Sequence, residues 1–272
     1  MPSSPPSPVA IITGGSSGLG KAIAETFLAA GFAIVIVGRN QARLELAREE
    51  LATRGSAVIV VADVSTEAGA AKINAAAQQH FGRLDVLINC VGASDRGLAE
   101  NLSTDRLDEL VKQNVHTALL CSDAALPLLE ISGGVIVNIG SLAAKVGARY
   151  LGGYCIAKHA LAGLTQQMRL ELKPRGVHVA LVNPGPIQRS DAGSRYQSQI
   201  DDNVPSQAAR PGGGTKLKGL PPEKVAAAVL RCVTHRCPDV VLPGYLRILI
   251  AVGHLSPRLG DWLLLKFSSS KE

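Results

Sequence analysis

Val9-Ala10-Ile11-Ile12-Thr13 runs directly into Gly14-Gly15-Ser16-Ser17-Gly18-Leu19-Gly20, and a helical pattern follows. A short β-branched run reads as a strand, and the glycines permit the positive φ of a tight turn and a close backbone approach to a ligand. A helix opening immediately after such a turn offers unpaired N–H groups and a partial positive charge, which together suit a pyrophosphate. A glycine cluster alone could be only a tight turn. Here it stands between a strand and a helix, the context a phosphate cradle requires. The spacing is T-G-x-x-x-G-x-G, which differs from the common dinucleotide spacing G-x-G-x-x-G.

Outward from this stretch, near-continuous apolar runs alternate with longer helical segments. The predicted strands are 9–13, 33–37, 57–61, 86–89, 134–139, 177–182 and 240–242, with helices over 18–30, 40–54, 67–81, 104–129, 151–173 and 222–236. Strands apolar on both faces belong to a parallel sheet covered by helices on both sides. The expected fold class is therefore α/β: a Rossmann-type doubly wound parallel sheet of about seven strands in a single domain. Residues 1–8, rich in Ser and Pro, read as a flexible N-terminal arm before a catalytic domain over 9–244. Residues 186–220, polar and Gly/Pro-rich, form a lid-like insertion after a strand end; a disordered insertion is the competing reading.

Composition narrows the function. Hydrophobic residues make up 46% of the 272, enough to build one large core. Aromatic residues are 3%, which argues against a base-stacking surface, and the net charge of +6 is too diffuse for a nucleic-acid footprint. Five cysteines at irregular spacing fit free thiols in a reducing, cytoplasmic setting. None of the six histidines has a partner at metal-ligand spacing, so no metal is expected.

Tyr154 and Lys158 are four residues apart on one helix face, where an ammonium is expected to lower a phenol's pKa. Ser141 follows the apolar strand thirteen residues before Tyr154, at the strand end where ligands meet such sheets. Asn114 sits inside a predicted helix, where asparagine is a mediocre former. Taken with the glycine turn, these residues resemble the short-chain dehydrogenase/reductase family across roughly residues 9–190. Asn114, Ser141, Tyr154 and Lys158 match its catalytic Asn-Ser-Tyr-Lys tetrad. The resemblance implies that Tyr154 exchanges the proton of a carbonyl/alcohol pair and that Ser141 holds the oxygen. Lys158 would tune Tyr154 and hold the nicotinamide ribose, and Asn114 would hold a water linking Lys158 to solvent.

The same resemblance implies a nicotinamide cofactor bound by Gly14, Ser16, Ser17, Gly18, Leu19 and Gly20. It adds Asp63 and Val64 near the adenine, Asn89 and Gly92 in the turn after the fourth strand, and Pro184, Gly185 and Ile187 beside the nicotinamide. Cys90 and Val91 depart from the family's Asn-Asn-Ala-Gly turn, and Gln188, Arg189 and Ser190 stand where its members commonly carry threonine. The second strand ends in Gly38-Arg39-Asn40 without an acid. Arg39, with Asn40 and Arg43 nearby, resembles the NADP-preferring members, so NADP(H) is expected, with NAD(H) as the alternative; a solvated surface role for Arg39 is the competing reading.

The expected function is reduction or oxidation of a carbonyl/secondary alcohol pair on a lipophilic substrate. A retained-cofactor epimerase or dehydratase and a non-catalytic dinucleotide sensor are the alternatives. Tyr150 either lines the substrate pocket or packs on the lid. The tail, 245–272, is apolar but interrupted by charges and Pro257. It either packs on a partner subunit or the chain itself, the first expectation, or touches a membrane peripherally, the second, or caps the pocket. Family relatives are usually homodimers or homotetramers, and the same is expected here.

Overall fold

The computed structural model describes residues 7–189, 196–200 and 204–268. The seven strands are β1 (Val9–Thr13), β2 (Ala33–Gly38), β3 (Ala57–Val61), β4 (Val86–Asn89), β5 (Val135–Ile139), β6 (His178–Pro184) and β7 (Asp239–Leu242). They form one sheet in the order β3-β2-β1-β4-β5-β6-β7, with every neighbouring pair parallel. The order of strand addition reverses between β1 and β4, so a crevice opens at their carboxyl ends, where doubly wound sheets bind ligands.

Successive residues of β1 point to opposite faces. Ala10 and Ile12 join a core with Ile23, Phe27 and Val229, whereas Val9 and Ile11 join one with Ile73, Cys121 and Leu172. Helices α1 (Gly18–Ala29), α2 (Gln41–Ala52) and α7 (Pro222–His235) cover the first face. Helices α3 (Glu67–Phe81), α5 (Thr117–Ser132) and α6 (Tyr154–Leu172) cover the second. This double coverage is why the strands lack an alternating polar pattern.

The helix predicted over 104–129 is three pieces. Helix α4 (Thr104–Val111) leads into a π-helical turn, Lys112–His116, which leads into α5. A π turn inserts one residue per turn and re-aims the side chains it carries, a device concentrated at functional sites. Asn114 sits in this turn. The tail folds as two short helices, α8 (Leu246–Leu255) and α9 (Pro257–Ser268). The proposed N-terminal arm lies outside the described residues for positions 1–6.

Candidate active site

A cleft of about 850 Å³ runs along the carboxyl ends of β1, β2, β4, β5 and β6. Its first wall is the glycine turn. Gly14 and Gly18 have φ of +69° and +53°, conformations that suit glycine. A Cβ on Gly20 would lie 2.2 Å from the Gly14 carbonyl oxygen, so α1 packs against the turn only because that side chain is absent. Thr13 fastens the turn to its neighbour: its buried Oγ1 accepts from the Cys90 and Val91 N–H groups at 2.9 and 3.3 Å.

The start of α1 differs from those of α2, α3 and α4. Asn40, Thr66 and Ser103 cap α2, α3 and α4 with their side chains. Ser17, at the N-cap of α1, makes no such bond, and the first turn carries no acid. The opening N–H groups of α1 therefore face the cleft uncapped, and Ser16, Ser17, Gly18, Leu19 and Gly20 all line it. Such an end accepts phosphate.

Further along the cleft lie Arg39, Asn40, Asp63 and Val64. Asn40 Oδ1 is occupied by the Arg43 N–H at 2.9 Å. Hydrogen bonds from the Ser65 backbone and hydroxyl hold the Asp63 carboxyl below the usual carboxylate range, and the Arg39 charge adds to the effect. Gly92, Pro184, Gly185 and Ile187 complete the floor. Asn89 does not line the cleft. Its amide points beneath the sheet end and donates to Ser122 Oγ at 3.1 Å and to Asn138 Oδ1 at 2.9 Å, bracing β4 against α5 and β5. The Asn89 side chain thus holds the turn from below.

Asn114, Ser141, Tyr154 and Lys158 converge on the same cleft. Lys158 is 4% exposed and donates to the Ile139 carbonyl at 2.9 Å. Asn114 is 1% exposed, and its Nδ2 donates to Ala93 O at 3.0 Å and Leu110 O at 2.9 Å. Its Oδ1 is buried without a partner among the described residues. A Cβ on Gly92 would meet that oxygen at 2.7 Å and Lys158 Nζ at 3.3 Å. Gly92 thus leaves open the space between an unpaired acceptor and an ammonium, as a bridging water requires.

Ser141 caps the short turn after β5 and hydrogen-bonds the Tyr154 hydroxyl. Burial pushes the Tyr154 phenol up to about 12, while the Ser141 bond and the Arg96 charge pull the other way. The same burial brings Lys158 down to about 8. The depressed phenol expected from the Tyr-Lys spacing is therefore reversed. Desolvation dominates, and the Lys158 ammonium lies 5.8 Å from the Tyr154 ring centroid. Tyr154 is a neutral proton donor at physiological pH, held close to groups that would favour its anion.

Two residues that carried no motif hold this arrangement. Asp95, 5% exposed, pairs with Arg106 through Oδ1, and its Oδ2 accepts the Gly153 N–H at 3.1 Å. That bond fixes the start of α6 one residue before Tyr154. Arg96, 6% exposed, donates to Ala208 O at 2.5 Å and Arg210 O at 3.1 Å and lies 3.9 Å from the Tyr196 ring centroid. It therefore clasps residues 196–200 and 204–214 over the cleft, where Tyr196, Pro211, Gly212 and Gly213 line the wall. The roots of that insertion pair through Gln188 N–H to Leu220 O and Leu220 N–H to Pro186 O, at 2.8 and 2.7 Å. Tyr150 is not in the wall, although Arg149 and Leu151 beside it are. Its ring carries the Arg149 guanidinium at 4.8 Å.

Residues 8–201 match the short chain dehydrogenase family. The chain is 31% identical over 253 residues to dehydrogenase/reductase SDR family member 7B of Danio rerio, covering 87% of this chain and 77% of that protein. It is 30% identical over 260 residues to the ketoacyl reductase HetN of Nostoc sp., covering 92% and 86%. Among solved structures it resembles a short-chain dehydrogenase/reductase from Serratia marcescens, with a TM-score of 0.73, 27% identity and 87% and 96% coverage. The LigD apo structure from Sphingobium sp. shares the fold, with a TM-score of 0.76 at 24% identity over 93% and 97% of the two chains. The chain belongs to the short-chain dehydrogenase/reductase family and is an oxidoreductase whose family implies a nicotinamide dinucleotide, NAD(P)(H).

Proposed function

We propose that this enzyme uses NADP(H) to interconvert a carbonyl and a secondary alcohol on a lipophilic substrate. The observation that carries the reaction class is the convergence of Ser141, Tyr154, Lys158 and Asn114 on the cleft that the uncapped start of α1 also faces. Bound there, the dinucleotide would supply or accept the hydride. Ser141 holds the substrate oxygen and Tyr154, neutral and hydrogen-bonded to it, delivers the proton during reduction. Lys158 and the open acceptor on Asn114 lead the replacement proton from solvent. The name of one relative, a ketoacyl reductase, supports a carbonyl-reducing activity.

The preference for NADP(H) rests on Arg39, which is exposed and lines the cleft at the end of β2. No acid follows β2 to bind ribose hydroxyls, and a guanidinium there suits a 2′-phosphate. The test is turnover of a ketone with NADPH and NADH side by side, in the native chain and in Arg39→Ala. The expected result is a strong NADPH preference that collapses through a raised KM for NADPH. Equal efficiency with both dinucleotides, or an unaltered preference in Arg39→Ala, would contradict the assignment.

A further inference from the structure

Helices α8 and α9 form a hairpin at the mouth of the cleft. They cross at Gly253 and Gly260, where a Cβ on Gly260 would lie 2.8 Å from the Gly253 Cα. His254 Nε2 donates to the Lys145 carbonyl at 2.9 Å, and Leu264 lines the cleft. One side of the hairpin is thereby fixed to the domain.

The other side is apolar and uncovered. On α8 the stripe is Tyr245, Ile248, Leu249, Val252 and Leu255, spaced at three and four residues along one helix face. Ile248 is 72% exposed and Leu255 is 88% exposed. On α9, Leu259, Trp262 and Leu265 are exposed as well. Seven of the thirteen large hydrophobic side chains exposed in the described residues fall in this short hairpin, so the patch is not ordinary surface scatter.

Length and charge decide what covers it. Helices of 10 and 12 residues are too short to cross a bilayer, and among the described residues none is long and apolar enough to do so. Arg247, Arg258 and Lys266 accompany the apolar face against a single acid, Asp261. Arg258, Trp262 and Lys266 recur every four residues on α9, and Lys266 Nζ sits 4.5 Å from the Trp262 ring centroid. Aromatic and cationic side chains bordering an apolar stripe match the boundary between acyl chains and acidic headgroups. A two-fold pairing of this face with a second copy would instead gather Arg258 and Lys266 of both copies at one interface, where Asp261 is the single acid that each described hairpin brings.

We propose that the 245–268 hairpin lies in the headgroup plane of an anionic phospholipid bilayer. The cleft mouth then faces the lipid, and a lipophilic substrate enters from it; that last clause rests on the function proposed above, whereas the docking does not. The experiment is co-sedimentation of the full chain with vesicles of phosphatidylcholine alone or mixed with phosphatidylglycerol, at low and high salt. It is repeated with the double variant Ile248→Glu/Leu255→Glu, and size-exclusion runs accompany it. Both substituted side chains are exposed, and neither lines the cleft. The expected result is binding to the anionic vesicles that salt weakens and the double variant reduces by about tenfold or more. Turnover of a water-soluble ketone stays at the native level in that variant. No sedimentation with either vesicle, binding indifferent to anionic lipid and salt, or native binding by the double variant would overturn the proposal. A native dimer that the double variant splits, without vesicle binding, would assign the face to a second copy. Sedimentation is read without substrate, so a failed catalytic reading would appear separately, as vesicle binding without turnover.

Discussion

Replacing Arg96 by methionine keeps the buried stem and removes the guanidinium that clasps the insertion. Two hydrogen bonds to that segment are lost, at the Ala208 and Arg210 carbonyls. Bonds to a charged group contribute about 1.5–3 kcal/mol each, so the pair is worth about 3–6 kcal/mol. Part of this is offset because burial disfavours the Arg96 charge, as its lowered pKa shows. The lower end, about 3 kcal/mol, corresponds to roughly a hundredfold shift in the local opening equilibrium. The segment would not leave the domain, since its roots remain paired at Pro186, Gln188 and Leu220. The assay is native-state hydrogen exchange. The Ala208 amide, bonded to Pro205 O at 2.8 Å, and the Gly213 amide, bonded to Arg210 O at 3.1 Å, report on the segment. Both should exchange about a hundredfold faster in Arg96→Met, with the amides of β1 and β5 unaffected. Unchanged protection at Ala208 and Gly213 would refute the clasp. Equal acceleration throughout the sheet would show that Arg96 supports the whole domain instead.

Further outcomes follow from the same geometry. Lys158 is brought down from 10.5 to about 8, so it is cationic below that pH and neutral above it, whereas Tyr154 keeps its proton to about 12. The kcat/KM for ketone reduction should therefore be level below about 8 and fall above it, while Lys158→Arg, permanently charged, removes that limb; a native profile that stays level to pH 10 contradicts the reading. Asp95→Asn weakens the pairing with Arg106 and the bond to the Gly153 N–H, and should cost about 1–3 kcal/mol in thermal unfolding. Its kcat should fall more than its KM for the cofactor rises, because the start of α6 carries Tyr154 and the glycine turn is untouched; a selective loss of cofactor binding would place Asp95 elsewhere in the mechanism.

The sheet was legible because burial on both faces leaves an apolar run that needs no partner to be recognised, and all seven strand starts fall within one residue of the predicted ones. The first strand and its glycine turn coincide fully. The π turn at Lys112–His116 was not legible: its residues fit a continuous helix, and only the tertiary demand that Asn114 approach Gly92 and Lys158 distorts it. The direction of the Asn89 amide was not legible for a related reason. The residue sits at a strand end, yet its amide turns down to Ser122 and Asn138, and that direction is set by α5 rather than by its neighbours in sequence. Asp95 and Arg96 carried no signal, since Arg106, Gly153, Ala208 and Arg210, which they hold, lie between 11 and 114 residues away. The direction of the Tyr154 shift depends on how much water the folded cleft excludes, which spacing along a helix does not encode.

In the proposed reaction the Tyr154 hydroxyl transfers the proton of a carbonyl/alcohol pair. Tyr154→Phe keeps the ring in place and removes only that hydroxyl, so the most direct measurement is NADPH-dependent ketone reduction in this variant alongside NADPH binding followed by fluorescence. Turnover is expected to fall by at least about a hundredfold while the dinucleotide still binds. Turnover near the native level with intact binding would contradict it.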